Sequence, residues 1–554
     1  MPRVEQADIC IIGTGAAGGI LAYRLAMAGH EVLSVEQGPA IRDEYFTNGC
    51  SPEEDEHFGI APDKPWPVSP ADAYFDENAP AARLYARGET ASTTAQSAST
   101  FRNRQIFRLN GKQNLWAGVS LRYAPRDFRA KDVGDGDVNW PIRYDDLAPY
   151  YSSVERLIGV CGTQEGMDEL PDGEFLPPIP LRPVDEYLVK GLAKLKPRGI
   201  RPIPNRKAIE TRPDAPNVCR QCGLCIHGCK TGSIYKFSSR LLPEVERRPN
   251  YRITYDTKVI ALRRSPESDR IALAECIDTQ SRERFVIKAN TFIVAAGALE
   301  TPRILLNSRD GAWPAGLANS SGLLGRGLQD NIRVMASGSL WKLAGTKPTY
   351  SPGIGDHLLI PRFVFGGEDF RGGFQIQCGH TIPWLPFYLD GMRQLPARVK
   401  DLLARKLFCT YVGLIFFGKP SVQDDNRLVL GDKLDDYGIP QLHVHFRWSE
   451  NDLRMQRGMV KWGRTIMKSL SAIGVRSFAD AMPGKGIHYA GTCRMAENGR
   501  EGVVDRDCRS FDHPNLFICD GSVMPDINEK NLTLTIMALA DRLASGAISK
   551  QSYP

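Results

Sequence analysis

An apolar run at residues 7–12 ends in Gly13, and Gly13, Gly15 and Gly18 then mark out G-x-G-x-x-G ahead of a stretch with apolar residues at helical spacing, 21–28. A further apolar run, residues 30–35, closes with Glu36. Strand, turn, helix and strand in so short a span predict a βαβ unit opening a parallel sheet. Glycines at that turn let the backbone approach a pyrophosphate at a helix N-terminus, and an acid closing the second strand is placed for ribose hydroxyls. A plain glycine turn is the alternative, but it needs neither the helix nor the acid. The expectation is a dinucleotide site on Gly13, Gly15, Gly18 and Glu36.

At 554 residues the chain exceeds one simple core, and two interleaved or sequential domains follow. Residues 49–98, rich in Pro, Asp, Glu, Ser and Thr without a sustained period, read as long surface loops. Helical patterns occupy 139–201, broken by the proline-rich stretch 176–183. Residues 251–263 and 271–287 read as paired strands, and 291–296 as a buried strand entering a helix near Pro302. Strands alternate with helices over 331–474, and 441–448 alternates as a half-buried strand does. Residues 516–519 read as a strand and 533–548 as an amphipathic helix, so sheet material at both ends implies a cofactor domain built from non-adjacent segments. There is no internal repeat. A net charge of +6 over this length, without a basic run, argues against nucleic acid as partner. No apolar stretch reaches eighteen residues and the start lacks a basic leader, so the chain is expected to have no transmembrane segment and no export signal of its own.

Cys219, Cys222, Cys225 and Cys229 have the spacing C-x2-C-x2-C-x3-C inside residues 217–233 (NVCRQCGLCIHGCKTGS). Short gaps with glycines let a backbone curl until four sulfurs converge, as in a bacterial ferredoxin loop. Lys230 stands where proline normally follows the last cysteine, and the fourth cysteine of such a loop can serve another cluster. The segment is therefore read as an iron–sulfur cluster site, of 4Fe-4S or 3Fe-4S type, with zinc or an unmetallated segment as alternatives; disulfides are disfavoured by crowding. His227 within it is expected to be exposed. The other nine cysteines are scattered and read as buried small apolar residues.

Seven ordered blocks resemble the glucose-methanol-choline (GMC) oxidoreductases: the first glycine turn, 108–120 (RLNGKQNLWAGVS), 139–151 (NWPIRYDDLAPYY), 294–306 (VAAGALETPRILL), 325–331 (GRGLQDN), 488–495 (HYAGTCRM) and 520–538 (DGSVMPDINEKNLTLTIMA). The resemblance implies an α/β fold: a Rossmann-like FAD-binding domain of GMC type plus a substrate domain with a mostly antiparallel sheet flanked by helices. It divides the chain into 1–135, 206–325 and 481–554 for the FAD domain and 136–205 and 326–480 for the substrate domain. It also implies that Asn114, Trp116, Ala117, Gly118, Val259, Ala296, Gly297, Asp520 and Gly521 contact the FAD. The attachment is expected to be non-covalent, because the segment before Trp116 has no histidine. Alcohol oxidation needs hydride transfer to the flavin and a base for the hydroxyl proton, and histidine suits that base near neutrality. His488 occupies the family's base position, against the alternative of a structural histidine. Asn531 occupies the partner position, where it could also cap the helix that follows. Leu532 stands where the family usually has proline, and Asn331 where it often has histidine.

A cysteine cluster in this region further resembles the catalytic subunits of bacterial sugar dehydrogenases, glucoside 3-dehydrogenase and the glucose, gluconate and fructose dehydrogenases among them. That likeness implies oxidation of a sugar or glycoside hydroxyl, with electrons passing through the cluster to a cytochrome c. It also implies a small partner subunit with a twin-arginine signal, and hence a periplasmic workplace by co-export; without that partner the chain would be cytoplasmic. The rival is an oxidase that uses oxygen and keeps its cysteines for structure. Trp384, Phe387 and Trp448 are candidate sugar-stacking aromatics, with packing as the alternative role.

Overall fold

The computed structural model describes residues 3–41, 90–91, 101, 103–221, 225–229, 231–346, 357–367, 369–379, 395–479 and 482–549. Most of the loop-rich 49–98 stretch, together with Cys222, Trp384 and Phe387, lies outside them. Of that stretch, Thr90–Ala91 is described, as a short strand parallel to Pro440–His445.

β1 (Val4–Ile12) turns into helix α1 (Ala16–Met27) and returns as β2 (Val32–Val35), parallel to β1. Ile9 to Ile12 and all of β2 are buried, as expected of a parallel sheet covered on both faces. On its other side β1 pairs in parallel with Arg284–Val294, a strand long enough to serve two further partners. Its first half pairs antiparallel with Ile271–Asp278, and its last residues pair in parallel with Leu516–Ile518.

The run at 251–263 is not one strand. Asp256, at φ +51°, breaks it. Tyr251–Thr254 joins the free edge of β2, whereas Thr257–Arg264 pairs with Ile271–Asp278 at the opposite end of the sheet. The terminal helix also departs from expectation. Thr533–Leu543 is buried nearly all round, because it lies between α1 and the helix Tyr144–Ile158, and its last turn, Ala544–Ile548, is a π-helix. Polar residues on it are paired inside: Thr535 with the Tyr151 hydroxyl at 2.8 Å, and Asp541 with Arg24 at 2.7 Å.

A second sheet is antiparallel throughout, in the order Ile473–Ala479, Ile332–Ser339, Tyr411–Gly418, Phe374–Gly379, Leu358–Ile360, Ile203–Pro204. Its strands alternate. Val334, Ala336, Ile376, Leu414 and Phe416 pack on Met455 and Met459 of the helix Glu450–Ser469, and the intervening residues Arg333, Gln377, Ile415 and Phe417 line a cavity shared with the first sheet. The stretch at 441–448 forms the expected half-buried strand, Pro440–His445, with Leu442 and Val444 inside.

Salt bridges without access to water tie the two sheets together behind that cavity. Lys530 bridges Asp127 at 2.9 Å and Glu529 at 2.8 Å, Arg362 reaches Asp135 at 2.9 Å, and Lys419 pairs with Asp526. These pairs hold the stretch that leads into Asn531.

Candidate active site

The glycine turn lies at one end of the cavity, and its three glycines are required for different reasons. Gly13 has φ +100°, and a Cβ there would come within 2.6 Å of the Ala295 carbonyl oxygen. A Cβ on Gly18 would press into the Gly13 carbonyl; this residue faces the turn and does not line the cavity. Gly15 has nothing within 4 Å of a Cβ position and opens onto the cavity. Helix α1 has no side-chain cap and no acid in its first turn, so its N-terminal amides face the cavity uncompensated. Glu36 lies further along, its carboxylate held by the Thr14 hydroxyl and the Gly38 amide (3.1 Å), while burial raises its pKa.

Val259, Ala296, Gly297, Trp116, Ala117, Asp520 and Gly521 all line the same cavity. Asn114 and Gly118 do not. The Asn114 amide donates to the carbonyls of Leu109 and Gly111, both at 2.9 Å, and accepts from Asn110, so it shapes the turn Gly111–Leu115 from behind. Gly118, at φ +77°, faces Ala208 and Ile209. Asp520 caps the helix Gly297–Asn307, accepting from the Gly297 amide at 2.8 Å and the Thr301 hydroxyl at 2.6 Å.

At the other end a network fixes His488. Asn331 donates both hydrogens of its amide, to the Gly418 carbonyl at 2.9 Å and the Asn528 carbonyl at 2.7 Å. Its oxygen must therefore accept, and the ring nitrogen Nδ1 of His488, 2.6 Å away, carries the proton. Nε2 is left with a lone pair, facing the Asn531 amide nitrogen at 3.2 Å. The oxygen of Asn531 is in turn fixed by Gln377 at 2.7 Å and Gln375 at 3.3 Å, so its nitrogen points at the histidine. Burial first, then the charges of Lys112 and Arg333, push the His488 pKa down to about 3. The preceding Ile487 has φ +64°, a conformation costly for a β-branched residue. Asp330 clamps it in place by accepting from the amides of Gly486 and His488, each at 2.9 Å, and burial raises this carboxyl to about 6.

Asn331, Gln375 and Gln377 have no place in the sequence-level site. The signal for the glutamines was present: FQIQ sets two amides on one face of an otherwise apolar strand. Trp448 does not line the cavity and packs edge-on against Phe446 at 4.9 Å, a core role.

The residues present fit an FAD. Gly15 and Gly297 leave open space where its phosphates would approach, and Gln113, almost wholly buried on the cavity wall, has no hydrogen-bond partner for either amide atom. The cysteine segment does not show a comparable fit. Cys219, Cys225 and Cys229 lie in an apolar patch with Trp116. Cys219 accepts from the Gln221 amide at 3.4 Å, Cys225 lies 3.6 Å from the Lys207 ammonium, and Cys229 lies 3.1 Å from the Thr231 hydroxyl. Among the described residues no three His, Cys, Asp or Glu side chains gather as a metal site, so the expected cluster of four cysteines is not formed by those three. The His227 side chain, like Cys222, lies outside the described residues.

Among the described residues no helix is long and apolar enough to cross a membrane. The chain is 28% identical to paromamine 6'-oxidase of Streptomyces fradiae, over 97% of this chain and 90% of that one. It is 26% identical to the fructose dehydrogenase large subunit of Gluconobacter japonicus, over 98% of each. Its fold superposes on the crystal structure of pyridoxine 4-oxidase from Mesorbium loti with a TM-score of 0.62, at 19% identity and over 99% of this chain and all of that one. The N-terminal part of the GMC oxidoreductase family matches residues 207–333 and the C-terminal part residues 422–540, between them taking in Val259, the long central strand, His488 and Asn531. The chain thus belongs to the GMC oxidoreductases, a family whose members bind FAD.

Proposed function

We propose that this protein is an FAD-dependent enzyme that oxidises a hydroxyl group of a sugar or glycoside to a carbonyl. The observation that carries this reading is the unprotonated Nε2 of His488 paired with the Asn531 amide in the wall of the cavity. Bound FAD supplies the hydride acceptor. Gly13, Gly15 and Glu36 would hold it, together with Trp116, Ala117, Val259, Ala296, Gly297 and Gly521. A substrate hydroxyl placed between His488 and Asn531 gives its proton to Nε2 and accepts a hydrogen bond from the Asn531 amide. Phe417 and Ile415 bring apolar surface to that end and Gln377 an amide, a mixture suited to the faces and edges of a sugar ring. Relatives named for action on sugars and glycosides, fructose dehydrogenase and C-glycoside 3-oxidase among them, support the substrate class.

The finer part of this reading concerns where the electrons go. Cysteine spacing supports an iron–sulfur cluster on Cys219, Cys222, Cys225 and Cys229 that delivers to a cytochrome c, and with it a small twin-arginine subunit and a periplasmic location. Ile226, inside the segment, lines the cavity, and Trp116 lines it too while packing on the same apolar cluster as Cys219, Cys225 and Cys229. A second reading, an oxidase with structural cysteines, is favoured by three thiols that each keep a separate neighbour. Anaerobic mixing of the FAD-loaded protein with a panel of sugars and glycosides tests the main reading: the flavin absorbance bleaches and a keto-sugar forms. If no sugar bleaches it, the reading fails. Iron content of anaerobically purified protein, and peroxide yield in air against reduction of a dye, decide between the two acceptors.

A further inference from the structure

The turn Gly111–Leu115 puts two adjacent polar side chains into the wall of the cavity, and the chemistry assigned to His488 and Asn531 uses neither. Lys112 donates to the Ile487 carbonyl at 3.1 Å, and its ammonium lies 4.4 Å from the centre of the Tyr489 ring. Asp330 and Asp520 act on it through charge alone; no described carboxylate is within ion-pair distance. A half-buried ammonium with no carboxylate beside it is costly unless an anion reaches it. Burial pushes its pKa down to about 8, with the two aspartates opposing. Gln113 supplies an independent observation: it is 3% exposed, and neither its amide nitrogen nor its oxygen has a partner. Together the pair offers a positive charge beside an unsatisfied donor and acceptor.

Two parts of an FAD could answer that offer, the diphosphate and the redox ring. The amides at the start of α1 already face the diphosphate end. Lys112 reaches the other end, because its carbonyl partner belongs to the residue before His488 and its charge acts on the His488 ring. We propose that Lys112 is the charge-compensating residue of the redox ring, and that Gln113 hydrogen-bonds the same ring. The inference rests on the FAD reading above. In the reaction, the substrate C–H bond would break with its hydrogen and both bonding electrons passing to the ring as hydride, and the O–H proton would go to His488 Nε2. The ring thereby gains one negative charge, which the ammonium offsets without giving up its proton.

The midpoint potential of the bound flavin tests this, by equilibration with a reference dye in the parent protein and in Lys112→Met and Lys112→Arg. Lys112→Met is expected to bind reduced flavin at least roughly tenfold less well relative to oxidised flavin, a fall of about 30 mV for a two-electron couple. Lys112→Arg is expected to stay near the parent. An unchanged potential in FAD-loaded Lys112→Met overturns the proposal. So does an equal loss of affinity for both redox forms, which would assign the lysine to the diphosphate. Should Lys112→Met fail to hold FAD, sulfite titration of the parent takes its place. Sulfite adds its lone pair to the ring, forming one S–N bond and leaving the negative charge on the ring. Bleaching of the parent supports the compensating cation, and a parent that sulfite does not bleach overturns it. A parent that binds no FAD defeats both readings. One that binds FAD and shows the lysine-dependent potential, yet is reduced by no sugar, defeats the functional reading alone.

Discussion

His488 stays in its base form far below the pH at which an exposed histidine takes a proton. Substituting it by asparagine keeps the shape of the site and removes the proton acceptor, so kcat should fall roughly 10²- to 10⁴-fold with FAD content unchanged. Steady-state kinetics and the flavin-to-protein absorbance ratio check both parts. The depressed pKa, about 3, also sets two pH dependences. The acid limb of kcat/KM should lack a titration near the ordinary histidine value of about 6.5. Stability responds with the opposite demand: the unfolded chain takes up this proton below about 6.5 while the folded site refuses it, so acidification from there to about 3 costs stability. Thermal melts should show His488→Asn losing less between neutral and acid pH than the parent. His488 and Asn531 were legible because each lies within a contiguous block of sequence. The pairings that set their tautomer and orientation were not, because Asn331, Gln375 and Gln377 lie more than a hundred residues away and meet them only in the folded chain.

At the level of the element, β1, α1 and β2 were legible in kind and order, though β1 and α1 each begin several residues earlier than the apolar pattern does, since local periodicity and turn chemistry agree there. The turn makes a contrast that substitution can expose. Gly15→Ala should melt close to the parent, because no atom lies within 4 Å of the new methyl, yet it should hold FAD more weakly because the methyl enters the cavity. Gly18→Ala should lower the melting temperature itself, its methyl driving α1 away from the Gly13 carbonyl. Melting curves with and without added FAD separate the two. Periodicity failed at 251–263, where both halves are apolar and a single residue in the left-handed region sends them to opposite ends of the sheet. At the last helix it gave the span, 533–548, and missed only the burial, because polar residues that pair inside the protein mimic a solvent-facing stripe.

Across the whole molecule, the polar stretch around Asn531 is fully buried, which composition could not reveal, because its partners Asp127, Arg362 and Lys419 are distant in sequence. Burial alone would raise the pKa of Glu529, but the charges of Lys530 and Arg362 outweigh it and hold the carboxyl at about 2. Lys530→Met should strand Asp127, leave Glu529 with Arg362 alone and destabilise the fold by about 3–5 kcal/mol, measured by denaturant unfolding. The Lys530→Met, Asp127→Asn double variant should recover part of that loss. The strand Arg284–Val294 adds a constraint of another kind, since it is flanked by β1 from the start of the chain and by Leu516–Ile518 from near its end. During translation the last residues of that strand must wait, one border bare, until more than two hundred further residues have left the ribosome. The newborn protein therefore passes through a long interval in which an unfinished sheet is open to wrong partners, and chaperones have their greatest claim on it then.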